Sequence, residues 1–139
     1  MNKRRVALNG YGVIGRRVAD AVALQEDMEL VGVSDIVSDY RIRMAEQRGY
    51  AIYASVPDKA GEMRNAGINV RGTLDDLLKQ VEVVIDCTPK GIDAKNKPKY
   101  DAAGVKSIGA RRIDERLLGE MWTGLPGSEN SVLSAFRAS

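Results

Sequence analysis

Val6-Ala7-Leu8-Asn9-Gly10-Tyr11-Gly12-Val13-Ile14-Gly15-Arg16-Arg17-Val18-Ala19 is the stretch on which the reading of the fold turns. An apolar run makes a short buried strand, a glycine turn follows, and Val13 to Ala23 is compatible with a helix. Gly10, Gly12 and Gly15 stand in the GxGxxG spacing. In that pattern the first glycine makes the tight turn, the second lets a pyrophosphate reach the backbone, and the third lets the helix pack closely on the strand. The unpaired N–H groups of the helix start, with the positive end of the helix dipole behind them, then form a main-chain site for an anion.

The surroundings of the glycines sharpen this reading. A second apolar run, Leu30-Val31-Gly32-Val33, ends near Asp35, which lies 20 positions beyond Gly15. A carboxylate at that place accepts hydrogen bonds from the hydroxyls of an adenosine ribose and repels a 2′-phosphate, so NAD is expected and NADP is less favoured.

Working outward, the second strand covers Met28 to Ser34, and Ser38 is placed to cap a helix from about Asp39 to Arg48, stopped by Gly49. Tyr50 to Ser55 is rich in strand formers. Pro57 suits the first turn of a helix ending before Gly67. Asn69 to Arg71 makes a brief strand, and Thr73 with Asp76 resembles a capping box for a helix from Leu74 to Gln80. Val81 to Cys87 is the strongest strand signal, largely β-branched and suited to burial on both faces. It delivers Thr88 and Pro89 to the carboxyl edge of the sheet, where doubly wound folds bind ligands. A helix from Asp93 to Ala103 contains Pro98, which implies a late start or a kink, and a last short strand begins at Val105. Strands alternating with helices at this rhythm predict an α/β fold of Rossmann-like, doubly wound type, with a mostly parallel sheet and helices on both faces.

Composition narrows the function. A chain of 139 residues suits one domain, and 44% hydrophobic with 29% charged residues supplies one core. The net charge of +2 leaves no nucleic-acid or membrane footprint, and no stretch approaches a membrane span. One cysteine agrees with a reducing cytoplasm, and the absence of histidine removes the commonest general base and metal ligand, so no metal site is expected.

Three segments carry a resemblance to a family: Asn9 to Val22, Gly72-Thr73-Leu74-Asp75-Asp76-Leu77-Leu78, and Asp86-Cys87-Thr88-Pro89-Lys90-Gly91 followed by Ala94 to Pro98. In this order they resemble the nucleotide-binding half of the archaeal type of phosphorylating glyceraldehyde-3-phosphate dehydrogenase. The resemblance implies an enzyme that oxidises an aldehyde phosphate through a cysteine thioester and passes hydride to a nicotinamide cofactor. It implies that Gly10, Tyr11, Gly12, Val13, Ile14 and Gly15 hold the pyrophosphate and that Thr88 and Pro89 border the nicotinamide side. Many archaeal relatives carry basic residues after the second strand, whereas Ser34-Asp35-Ile36 is acidic here.

The nucleophile of that family lies in a Ser-Cys-Asn-Thr-Thr segment, which this sequence does not contain. Cys87 matches the cysteine at the end of a cofactor-domain strand. It reads as a small buried apolar side chain, because nothing local supplies a cation or base to lower its pKa. No catalytic residue is therefore assigned, and the chain reads as a cofactor domain without its chemistry.

The likeness ends near Ile108, dividing the chain into a dinucleotide-binding domain, 1–110, and a divergent tail, 111–139, partly helical or disordered. In the tail, Trp122 and Phe136 are read as covering apolar surface. Arg111-Arg112 and Lys95-Asn96-Lys97 read as solvated basic faces, while one of Arg16 and Arg17 flanks the pyrophosphate. Two further functions fit: a subunit completed by a catalytic half on another chain, and a nucleotide-sensing or assembly protein whose homo-oligomer responds to NAD. Aspartate-semialdehyde and dipicolinate-type reductases share the nucleotide half but match the Cys87-Thr88-Pro89 region less well.

Overall fold

The computed structural model describes residues 3–36, 39–89 and 91–109. The expected tail, with Trp122, Phe136 and Arg111-Arg112, lies outside the described residues, as does Ser38. Among the described residues, six strands and five helices alternate: β1 (Arg4–Asn9), α1 (Val13–Ala23), β2 (Met28–Asp35), α2 (Tyr40–Gln47), β3 (Ile52–Ala54), α3 (Pro57–Asn65), β4 (Val70–Thr73), α4 (Leu74–Leu78), β5 (Val83–Asp86), α5 (Ile92–Ala102) and β6 (Lys106–Gly109). The sheet order is β4-β3-β2-β1-β5-β6, and every pairing is parallel. The chain winds outward from β1 through β4, then crosses back to place β5 on the other side of β1. The crevice between β1 and β5 is therefore the topological switch point, where such sheets take ligands.

Strand alternation divides the core into two layers. Val6 and Leu8 of β1 with Val83 and Ile85 of β5 face a cluster completed by Val18, Ala19 and Val22 of α1, Ile42 and Ala45 of α2, and Ala60 and Met63 of α3. Ala7 and Val84 face the opposite way, onto Leu74, Leu77 and Leu78 of α4 and Tyr100 of α5. All four residues of β5 are buried, as expected of a central parallel strand covered on both sides. A register shift in β1–β2 pairs Val6 with Leu30 but Ala7 with Gly32. The residue skipped is Val31, so Leu30 and Val33 both serve the first layer.

Two local expectations are corrected. The cap of α2 is Asp39, whose Oδ1 accepts the Arg41 amide at 3.0 Å. The last helix starts at Ile92 and runs through Pro98, so the proline does not mark a late start. Proline removes the bond to the carbonyl of Ala94, which lies on an exposed residue where water can replace it.

The capping box is present at α4, where Asp76 accepts the Thr73 amide at 2.9 Å. That bond holds the Asp76 carboxyl below its ordinary range, and the Arg41 guanidinium does the same for Asp39. A carboxyl with a depressed folded-state pKa contributes stability above its unfolded value and loses it as pH falls through the folded value. The urea midpoint should therefore hold from pH 7 down to about 5 and fall below about 4. Replacing both residues with Asn should shrink the drop between pH 6 and pH 3, and an identical drop would show that neither carboxyl contributes.

A candidate dinucleotide cleft at the carboxyl edge of the sheet

Register sets out the site. Near the carboxyl ends of three adjacent strands, Ser34 stands beside Asn9 and Asn9 beside Asp86. Just above this row, Gly10 turns with φ +95°, and a Cβ there would lie 2.8 Å from both the carbonyl carbon of Cys87 and the nitrogen of Thr88. The turn must be glycine for its backbone conformation and for the approach of the β5 end. A Cβ at Gly15 would lie 2.0 Å from the Gly10 carbonyl oxygen, so α1 sits directly on the turn. At Gly12 the same construction meets nothing within 4 Å. The three glycines thus divide as their spacing predicts, two for packing and one for an open approach.

The amides of the loop divide as well. Gly10 N–H donates to the Ser34 carbonyl at 2.8 Å, and Tyr11 N–H donates to Asp35 Oδ2 at 2.6 Å. Among the described residues no acceptor meets the amides of Gly12, Val13, Ile14 and Gly15, the N-cap and first three residues of α1, and Gly12 provides no side-chain cap. Those four amides are the ones that can hold an anion. Tyr11 enters the site by its backbone, since its ring is fully buried in the first core layer. Burial, and then the charge of Asp20, raise its phenol pKa, so the hydroxyl stays protonated.

Asp35 is half-buried at the end of β2. Its Oδ1 accepts the Ile36 amide at 2.7 Å, so each oxygen carries one backbone bond and keeps capacity for a further donor. A hollow lined by Tyr11, Gly12, Val13, Arg16, Tyr40 and Arg41 opens beside it. Arg16 lines this hollow, while Arg17 is exposed. Tyr40 and Arg41 were not read from the sequence as site residues. Their signal lay in the start of a helix directly after an acidic strand end. Asp39 holds the Arg41 guanidinium, with Nη2 to Oδ2 at 2.7 Å.

On the far side of the turn, Thr88 is nearly buried and Pro89 is exposed. Cys87 is buried in the first core layer, with its amide on the Asn9 carbonyl at 2.7 Å, in keeping with a packing residue. Sequence reasoning missed the polar row beneath. Asp86, 3% exposed, accepts from the amide and hydroxyl of Thr88, from Asn96 at 3.1 Å and from Tyr100 at 2.6 Å. Asn9 donates to the Tyr100 hydroxyl at 2.9 Å and accepts from Ser34 at 2.8 Å and Ser55 at 2.7 Å. Burial, and then the nearby Asp86 charge, raise the Tyr100 pKa, so its hydroxyl remains a donor. The signal was a charged residue closing an otherwise apolar strand. Of the Lys95-Asn96-Lys97 cluster, Lys97 pairs with Asp101 at the surface and Asn96 turns inward.

An all-parallel doubly wound sheet with an open glycine turn at its switch point defines a Rossmann-type nucleotide-binding domain. The chain belongs to the dihydrodipicolinate reductase N-terminal family, whose model matches residues 4–108. It is also similar to glyceraldehyde-3-phosphate dehydrogenases of archaea. It is 49% identical to that of Methanothermus fervidus over 105 residues, 76% of this chain and 31% of the relative, and 42% identical to that of Methanobrevibacter smithii over 129 residues, 92% of this chain and 38% of the relative. The chain thus spans about a third of the length of these curated relatives.

Solved structures share the fold. A scyllo-inositol dehydrogenase from Lactobacillus casei with bound NAD(H) and scyllo-inositol has a TM-score of 0.60 at 12% identity, covering 98% of this chain and 34% of that one. An NAD complex of a gentamicin A biosynthesis protein also scores 0.60, at 16% identity, covering 97% of this chain and 33% of that one. No helix among the described residues is long and apolar enough to cross a membrane.

Proposed function

We propose that this chain binds NAD, and NADP less well, as the cofactor half of a cytoplasmic aldehyde dehydrogenase of the glyceraldehyde-3-phosphate kind. The observation that carries the reading is the run of four amides without acceptors above Gly12, where a Cβ would meet nothing within 4 Å. The residues fit the group. The pyrophosphate takes the amides of Gly12, Val13, Ile14 and Gly15, and the positive end of α1 favours its charge. Asp35 takes the adenosine ribose hydroxyls, and the hollow beside Tyr40 and Arg41 receives the adenine. Thr88 and Pro89 would then hold the nicotinamide end.

When bound, the cofactor supplies the hydride acceptor. This chain's own residues bind and orient it. The described residues hold no thiol placed for thioester chemistry, since Cys87 is packed in the core. The oxidation of the aldehyde is thus assigned to groups outside residues 4–109, and this chain alone should not turn over glyceraldehyde 3-phosphate.

Titration calorimetry with NAD, NADP and ADP-ribose tests the reading. NAD and ADP-ribose should bind and NADP should bind more weakly. Heatless titrations with all three would overturn it. Asp35→Ala should weaken NAD by about tenfold, the loss of roughly one charge-assisted hydrogen bond, and raise the NADP to NAD preference. An unaltered ratio would remove Asp35 from the ribose site.

A further inference from the structure

We infer that Asp86 is a positioning residue that acts through Thr88 to set the carboxamide end of the nicotinamide, an inference that rests on the dinucleotide reading above. Asp86 is a buried carboxylate, and among the described residues no lysine or arginine pairs with it. A polar group in that position needs hydrogen bonds that replace its water. Four donors do so, filling the acceptor sites of both oxygens. Two of the four come from Thr88, two residues on, which closes an Asx turn at the end of β5.

The chemical consequence lies at Thr88. A threonine hydroxyl has one proton, and here it is donated to Asp86. Asp86 therefore makes Thr88 an acceptor only. The Thr88 amide is committed to the same carboxylate, so the residue has no donor left to offer. The turn lies against Gly10, across the switch point from the pyrophosphate amides, where the second half of a dinucleotide must pass. A ligand group that suits an acceptor-only hydroxyl carries an N–H or O–H donor. A carboxamide has one, and a carboxylate in its place does not.

The row that ends at Asp86 adds rigidity. Tyr100 is held by Asn9, and Asn9 by Ser34 and Ser55, so the carboxyl ends of β1, β2, β3 and β5 share one hydrogen-bonded chain. The orientation of the Thr88 hydroxyl is thereby tied to the strands that carry the turn.

The test uses the intact chain and three ligands: NAD, its nicotinic acid analogue with a carboxylate for the carboxamide, and ADP-ribose, which lacks the ring. The parent should prefer NAD to the acid analogue by about tenfold, the scale of one hydrogen bond to a well-placed acceptor. Thr88→Val should erase that preference and leave ADP-ribose affinity unchanged, whereas Thr88→Ser should restore the preference. Asp86→Asn should lower the NAD to ADP-ribose ratio, and in the Thr88→Val background it should lower it no further, because the effect passes through one hydroxyl. Should Asp86→Asn not fold, the Thr88→Val and Thr88→Ser pair decides alone. A melting temperature that drops while every ligand ratio holds would overturn the inference and leave Asp86 a structural residue. If the parent does not bind ADP-ribose, the dinucleotide reading fails first and this inference fails with it.

Discussion

Gly15→Ala should lower the stability of the folded chain by about 3 kcal/mol or more, seen as a urea midpoint reduced by more than about 1 M. The added methyl would lie 2.0 Å from the Gly10 carbonyl oxygen and 3.1 Å from its carbon. These are main-chain atoms of a turn that is itself pinned, since Gly10 donates to Ser34 and abuts the end of β5. No rotamer change relieves such a contact. Either α1 moves off the sheet, losing the packing of Val18, Ala19 and Val22, or the turn is displaced from β5. NAD binding should disappear with it, because the cradle amides belong to the element that moves. A Gly15→Ala chain that unfolds within 0.5 kcal/mol of the parent, an additive surface-like effect, would mean that α1 does not sit on the turn as described.

Gly12→Ser should leave stability intact and still weaken NAD binding strongly. Gly12 is the N-cap of α1, with φ −90° and ψ −154°, an extended conformation open to any residue. A Cβ meets nothing there, and serine is among the preferred N-caps, so the melting temperature should hold or rise by the equivalent of a few tenths of a kcal/mol. The new hydroxyl would accept an amide two or three residues on, Ile14 or Gly15, and its bulk would occupy the approach to the rest. NAD affinity should fall about 100-fold, near 2.7 kcal/mol, the scale of one or two hydrogen bonds to a charged group. A Gly12→Ser chain that binds NAD as the parent does would falsify the placement of the pyrophosphate on these amides. Together the two variants separate packing from binding within one motif, since one lowers stability and the other leaves it intact.

Legibility from sequence followed the range of the interactions. Every predicted element between β1 and β6 is present, with ends displaced by a few residues where caps and not periodicity decide, as at Asp39 and Ile92. The two-sided burial of β5 was readable from its run of branched apolar residues. The hollow beside Tyr40 and Arg41 was not, because it forms only when α1 and α2 are set side by side by the sheet.

What the sequence by itself determined is the strand, glycine turn and helix at residues 4–23, the alternation that follows it, and the acid at Asp35. These rest on backbone conformation and on contacts three or four residues apart, which local residue order encodes. Only the tertiary structure decided which loop amides are left for a ligand. Asp35 takes the amide of Tyr11 from 24 positions away, and no periodicity carries that distance. The same holds for the buried row in which Asn9 meets Tyr100 from 91 positions away. Parallel register brings Asn9 between Ser34 and Asp86, and the low dielectric of the interior then requires each of their polar groups to find its partner there.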